Sequence, residues 1–181
     1  MKYLFIGDVF GNLYFYIGQK KQPLIESFNF EELSADINII KNLGEYFELS
    51  KSLSDHSSEI KYIDYNPRLN LLVDYALDGY INIYTVPKFK LIQAIQTKDF
   101  NNNNQTIKYV ILISNPFPII CCICSKVIFV LDINGLLINT IPIESDQEPN
   151  FCIDKNCGLF NDYISFNNSK GKEKIDLLNE N

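Results

Sequence analysis

Residues 56–96 read HSSEIKYIDYNPRLNLLVDYALDGYINIYTVPKFKLIQAIQ, and their punctuation decides the fold. Ile60–Tyr65 alternates apolar and polar residues and is rich in β-branched and aromatic types, as a half-buried strand requires. Asn66-Pro67-Arg68-Leu69-Asn70 ends it, because Pro67 fixes its own φ and has no N–H for a ladder. Leu71–Ala76 is a second strand, Tyr80–Thr85 a third and Leu91–Ile95 a fourth, with Asp78-Gly79 between the second and third. The Asp-Gly pair supplies the positive φ of a tight two-residue hairpin. A single sheet of four short strands has two faces and cannot bury both alone. The segment therefore implies an array of similar units.

The rest of the chain supplies them. Tyr3–Gly7 and Leu13–Ile17 flank a turn at Asp8–Asn12, and after a polar stretch at Gln19–Lys41 strands resume at Tyr46–Leu53. Within that stretch FEELSADINIIKNL has a short helix-like pattern. Downstream of the central unit, DFNNNNQT is a low-complexity insert that reads as a mobile loop. Four more strands follow at Tyr109–Ser114, Ile119–Cys124, Val127–Leu131 and Leu136–Ile141, and then Phe151–Asp154, Tyr163–Phe166 and Lys174–Leu178. Aligned on the hairpin, FIGDVFGNLYFYI (5–17) superposes on VDYALDGYINIYT (73–85), with Gly11 under Gly79 and Tyr16 under Tyr84. Ser125-Lys126 replaces the glycine turn of the third unit, and Gly171 sits in that of the fourth. The first two turns lie about 68 residues apart and the next about 47 further on, against roughly 40–45 for a regular blade. The excess falls in the polar inserts.

The central unit resembles a WD repeat, the building block of β-propellers. The resemblance matches His56 to the family's histidine before the first strand, Asp78 to its hairpin aspartate and Tyr84 to its strand-ending Trp. In that family His, Ser or Thr, Asp and Trp form a hydrogen-bonded tetrad. Here Ala76 stands at the hydroxyl position and Thr85 replaces the closing Asp, so only His56 and Asp78 remain, as a structural blade staple. SNPFPIICCICSKVIFVLDINGLLINTI (114–141) and LDGYINIYTVPKFKLIQAI (77–95) resemble the C-terminal propeller of BEACH-domain proteins, and FNDYISFNNSKGKEKIDLL its following blade. That resemblance spans roughly residues 50–178. It implies a scaffold in vesicle trafficking and membrane dynamics.

Composition narrows the alternatives. A net charge of −6 with few clustered Lys and Arg argues against a nucleic-acid surface. The five cysteines (121, 122, 124, 152 and 157) are odd in number and include the apolar run IICCIC, which fits reduced, buried thiols. Cys152 and Cys157 lack the second pair or histidine that a zinc site needs. MKYLFIGDVFG is too short and too aromatic for a signal peptide. Val110–Leu131 is apolar but contains Asn115, Pro116, Pro118 and Lys126, so two strands explain it better than a membrane helix.

Catalytic signatures are missing. There is no Gly-rich phosphate loop, no Gly-x-Ser-x-Gly and no His-Glu-x-x-His, and the adjacent acids Glu31-Glu32 and Asp146/Glu148 lie in polar loops. His56 is the single histidine and has no nucleophile partner in the sequence. A propeller enzyme would bring acids or histidines together from the first strands of successive units, and those strands here offer only Asp64.

The expected fold is all-β: a partial propeller of three to four WD-like, four-stranded blades. Its bounds are 1–53 (with the polar insert), 54–97, 107–143 and an incomplete 151–181. Four units fall short of the usual six to eight or so, which points to a fragment of a larger protein. The expected function is a non-catalytic module for protein or peptide partners, with no cofactor, metal or catalytic residue. The expected place is the cytoplasm, peripheral to membranes through a larger parent. A propeller hydrolase or quinoprotein-like enzyme, and a small stand-alone β-protein, are the competing readings.

Overall fold

The computed structural model describes residues 2–19, 46–102, 105–115 and 117–143, together with the backbone of 150–154, 163–168 and 171–175. The chain divides into two compact units, Met1–Ile60 and Lys61–Asn181. The helix-like stretch FEELSADINIIKNL and the acid pairs Glu31-Glu32 and Asp146/Glu148 fall outside the described residues.

The first unit contains an antiparallel sheet of β1 (Tyr3–Gly7), β2 (Leu13–Gly18) and β3 (Phe47–Leu53) in that order. Phe5 pairs with Phe15 across β1 and β2, their rings meeting edge-on at 5.8 Å. Leu13 and Phe15 are buried, whereas β3 turns Glu48, Ser50 and Lys51 to solvent. The alternation that marks β2 as a strand is thus the burial of one of its faces.

In the second unit, β4 (Ile60–Asn66), β5 (Leu71–Ala76), β6 (Tyr80–Thr85) and β7 (Lys90–Gln96) form one sheet in chain order, β4 beginning at the unit border. A second meander comprises β8 (Ile107–Ile113), β9 (Ile119–Cys124), β10 (Val127–Asp132) and β11 (Leu137–Pro142). A third sheet is β12 (Asn150–Asp154), β13 (Tyr163–Asn168) and β14 (Gly171–Ile175). Gly171 opens β14 opposite Asn168, at the flank of the turn and not within it. The last strand accordingly starts three residues before Lys174.

The apolar runs explain the stacking. Val73, Ile81, Ile83 and Ile95 of one meander interlock with Val110, Leu112, Ile120 and Cys122 of the next. The opposite face of that second meander buries Ile111, Ile113, Cys121, Ile123 and Val130. Every residue of β9 is buried, which is why IICCIC shows no alternation: a central strand covered on both faces selects apolar residues at every position. Each buried Ile is worth about 1.5–3 kcal/mol, so this strand anchors the unit. Burial fades outward to β7 and β11, where Leu91, Ile92, Leu137 and Ile138 are exposed.

The central hairpin differs from the expected two-residue turn. Its loop has three residues, Leu77–Gly79, closed by the Gly79 N–H donating to Ala76 O at 3.1 Å, and the sole positive φ is Gly79 at 84°. The geometry is a type I turn followed by a left-handed glycine, which needs one permissive residue and not two. The turn Val9–Gly11 repeats it (Gly11 N to Asp8 O, 3.4 Å; φ 86°), and so does Ile133–Gly135 (Gly135 N to Asp132 O, 3.1 Å; φ 89°). Ser125-Lys126 does join β9 to β10, the place assigned to it by the repeat.

The insert DFNNNNQT also departs from a simple loop. Thr97–Asp99 forms a 3-10 turn, Phe100 enters the core against Phe129 at 5.3 Å, and Asn101 is buried. The Asn101 side chain donates to Gln105 O at 2.7 Å and accepts from Gln105 N at 2.9 Å. An amide with a donor and an acceptor can close a loop on its own, so one Asn of the tract is structural.

Candidate interaction surface

Four aspartates, Asp8, Asp64, Asp78 and Asp132, are occupied by backbone. Asp8 Oδ1 accepts from the N–H groups of Phe10 and Asn12 at 2.9 and 2.8 Å, and Oδ2 from Asn12 Nδ2 and the Tyr14 hydroxyl at 2.8 and 3.1 Å. The Asn12 side chain, with these further donors, holds the Asp8 carboxyl below the usual range despite partial desolvation. Asp132 repeats the device in the second unit, accepting from Asn134 N and Leu136 N at 2.9 and 2.8 Å. Desolvation pushes its pKa up, but the donors from Leu136, Asn134 and Gly135 outweigh it and the net shift is down. Asp78 caps its own turn by accepting from Tyr80 N at 3.1 Å.

Asp64 has a different task. Its Oδ2 accepts from the Leu112 N–H at 2.7 Å, while Asn66 Nδ2 donates to Leu112 O at 3.0 Å. One peptide position on β8 is thus held through both its polar groups by side chains of β4. Asn66 Oδ1 also accepts from Arg68 N at 3.0 Å and so organises the β4–β5 turn.

The tetrad positions carry a changed chemistry. Tyr84 is fully buried, its hydroxyl accepting from Asn82 Nδ2 at 3.1 Å, with Asp74 buried opposite Asn82 in the β5–β6 register. Thr85, at the place of the closing Asp, donates from its hydroxyl to Lys90 O at 3.4 Å. The Asn82–Tyr84 pair was missed from sequence. The available signal was their spacing of two, which puts them on one face of a strand. His56 is 93% buried in the first unit, where its carbonyl and that of Ser58 crowd Gly11: a Cβ there would lie 2.5 and 2.8 Å from their oxygens.

The described thiols lie in the core on β9. Cys121, Cys122 and Cys124 are buried and free of disulfides; burial raises Cys122 well above its ordinary value and Cys124 to about 11. Among the described residues no three His, Cys, Asp or Glu side chains group as a metal site.

Tyrosine rings from three strands of the second unit meet one another. Tyr62 of β4 stacks on Tyr75 of β5 (6.4 Å, 11° between planes) and meets Tyr109 of β8 at 5.3 Å and 48°. Burial raises the Tyr62 hydroxyl and neighbouring Tyr109 adds to it, while Lys61 and Lys108 pull it back down. Burial likewise raises Tyr75, whose body packs on the core and whose hydroxyl feels Cys124, Cys122 and Asp78. Apolar side chains stand exposed elsewhere on turn tips: Val9 and Phe10 (62% and 78%) in the first unit, Leu77 and Leu136 (55% and 70%) in the second.

No protein-family model matches the chain, and no curated protein does. Solved structures do. The crystal structure of Saccharomyces cerevisiae Sqt1 superposes with a TM-score of 0.59 at 10% identity, over 98% of this chain and 41% of that one. The chain therefore spans less than half the length of the structure it matches. Sqt1 is a WD40 β-propeller protein. Its likeness, together with the successive antiparallel meanders, gives this chain the fold of a partial WD-like β-propeller.

Proposed function

We propose that the chain is a non-catalytic scaffold for protein partners. The observation that carries this reading is a division of labour among the described residues. Asp8, Asp64, Asp78 and Asp132 bind backbone, while Phe10, Leu77 and Leu136 stand exposed on hydrogen-bonded turns. A rigid turn that presents an apolar tip loses little entropy on binding. In this reading His56 and Asp78 are structural blade residues, and the glycines serve turns. The propeller likeness supports it at the level of fold.

Affinity capture from the native cells tests the reading. Wild type retains a stoichiometric protein partner, and Phe10→Ser or Leu136→Ser reduces that partner at least fivefold without lowering the melting temperature. Unchanged capture by both variants, or turnover of a hydrolase or dehydrogenase substrate that disappears in Asp64→Asn, overturns it.

The finer reading places the scaffold in a BEACH-type protein of vesicle trafficking, cytoplasmic and peripheral to membranes, on the motifs at 77–95 and 114–141. No helix among the described residues is long and apolar enough to cross a membrane. Sequencing the transcript upstream of Met1 tests it: an in-frame BEACH domain supports it, and an in-frame stop immediately upstream ends it.

A further inference from the structure

We propose that Asn134 is a covalent modification site: a point of deamidation that Asp132 keeps latent, and whose conversion frees the β10–β11 turn from β7. This goes beyond the scaffold reading and does not depend on it. Asn134-Gly135 is the only Asn-Gly pair in the chain, and Asn134 is exposed at the tip of its turn. Asparagine is chemically labile, and a following glycine has no side chain to hinder ring closure.

The step is a loss of ammonia followed by an addition of water. Solvent hydroxide removes the Gly135 amide proton, and the nitrogen bonds to Asn134 Cγ. The carboxamide nitrogen leaves as ammonia, taking a proton back from water. Water then opens the succinimide ring at one of its two carbonyls. One opening gives aspartate. The other gives isoaspartate, in which the main chain runs through the former side chain and gains a methylene.

The groups that must react are all held by one residue. The Gly135 N–H donates to Asp132 O at 3.1 Å, so the attacking nitrogen is engaged. Asn134 Nδ2 donates to Asp132 Oδ2 at 3.1 Å and tethers the carboxamide, while Asn134 N donates to Asp132 Oδ1 at 2.9 Å and fixes the main chain. Removing a proton beside the Asp132 carboxylate also brings two negative charges together, which the closed turn opposes. Ring closure therefore waits on local opening.

The other side of the turn decides what conversion does. The Asn134 carbonyl accepts from Gln93 Nε2 of β7 at 3.3 Å, and a Cβ at Gly135 would lie 2.9 Å from Ile95 side-chain carbons. An added methylene displaces that carbonyl and finds no space beside Ile95. Either product replaces an amide donor by a carboxylate facing Asp132, a like-charge pair. The contact of the turn with β7, and so of one meander with the next, is weakened.

Mass-spectrometric peptide mapping of the full chain, aged at mildly alkaline pH, tests the site. In guanidinium chloride Asn134 should convert faster than any other asparagine, and in the folded chain at least tenfold slower. Folded Asp132→Ala should convert at least fivefold faster than folded wild type, with its rate in guanidinium chloride unchanged. Should it fail to fold, Asp132→Asn, which drops the charge and keeps an acceptor, replaces it and should be at least twofold faster. Asp8→Ala, which loosens the equivalent turn of the first unit, should leave the Asn134 rate as it was, separating a local hold from a general loss of stability. Converted chain, isolated by its added negative charge on anion exchange, should melt below unconverted chain. Equal rates folded and unfolded, an Asp132 variant no faster than wild type, equal acceleration by Asp8→Ala, or an unchanged melting temperature after conversion overturns the inference.

Discussion

At the scale of single residues, three glycines occupy the same turn and differ only in what surrounds them. Each has φ near 85–90°, where an L side chain is strained. An added Cβ at Gly79 finds only the Thr97 hydroxyl at 3.4 Å, whereas at Gly135 it meets Ile95 side-chain carbons at 2.9 Å and at Gly11 the carbonyls of His56 and Ser58. A side chain can rotate away and a carbonyl cannot. Alanine should therefore cost about 1 kcal/mol at Gly79, more at Gly135, and about 2–3 kcal/mol at Gly11, measured by urea unfolding. An equal loss at all three would show that φ alone matters. The aspartates that start two of these turns give a pH signature. Asp8 and Asp132 both titrate below the ordinary value of 3.8 when folded. A depressed carboxyl contributes stability that is present above its unfolded pKa and is lost as pH falls through the folded one. The melting temperature should drop as pH falls below about 4, and the drop should be shallower in Asp8→Asn/Asp132→Asn. Parallel curves for both proteins would remove these groups from the acid response.

At the scale of elements, most strands were legible because alternation and turn residues agree. Tyr3–Gly7, Leu71–Ala76, Tyr80–Thr85 and Ile119–Cys124 have the bounds that the sequence implied, and the others shift by one to three residues. What joins the meanders was not legible. Asp64 and Asn66 reach a peptide 46–48 residues away, and no local pattern announces a side chain that bonds to a distant backbone. Asp64 read from sequence as the lone acid of a first strand and is in fact half of a clamp. The turn at Asp78-Gly79 was found from its glycine but sized wrongly, since loop length depends on where the ladder closes. Removing one arm of the clamp leaves the buried Leu112 N–H without its carboxylate. Asp64→Ala should cost about 1–3 kcal/mol, and Asp64→Asn, which keeps an acceptor, distinctly less. Because both arms end on Leu112, Asp64→Ala/Asn66→Ala should cost less than the two single changes added together, in a urea-melt double-mutant cycle.

At the scale of the whole molecule, repetition carried the architecture and composition could not carry the function. Units that cannot bury their own faces imply neighbours, and Val73 and Ile83 packing against Val110 and Leu112 is that implication realised. The tyrosine cluster stayed hidden because Tyr62, Tyr75 and Tyr109 become neighbours only when β4, β5 and β8 assemble. Net charge, by contrast, is a property of the chain as a whole and governs its association. The protein carries −6 at neutral pH and its pI is about 4.8. On acidification it reaches zero net charge before Asp8 and Asp132 begin to lose their hold on the turns, since both remain ionised above 3.8. Two events should therefore separate: reversible turbidity peaking near pH 4.8 with the β-sheet circular dichroism signal intact, and loss of that signal only below about pH 4. Added salt should shift the first little and a Lys-for-Glu exchange at exposed Glu48 should move it upward. Simultaneous turbidity and unfolding would mean that acid loosens the sheets before the turns release, and would place the acid-sensitive groups outside the Asp8 and Asp132 turns.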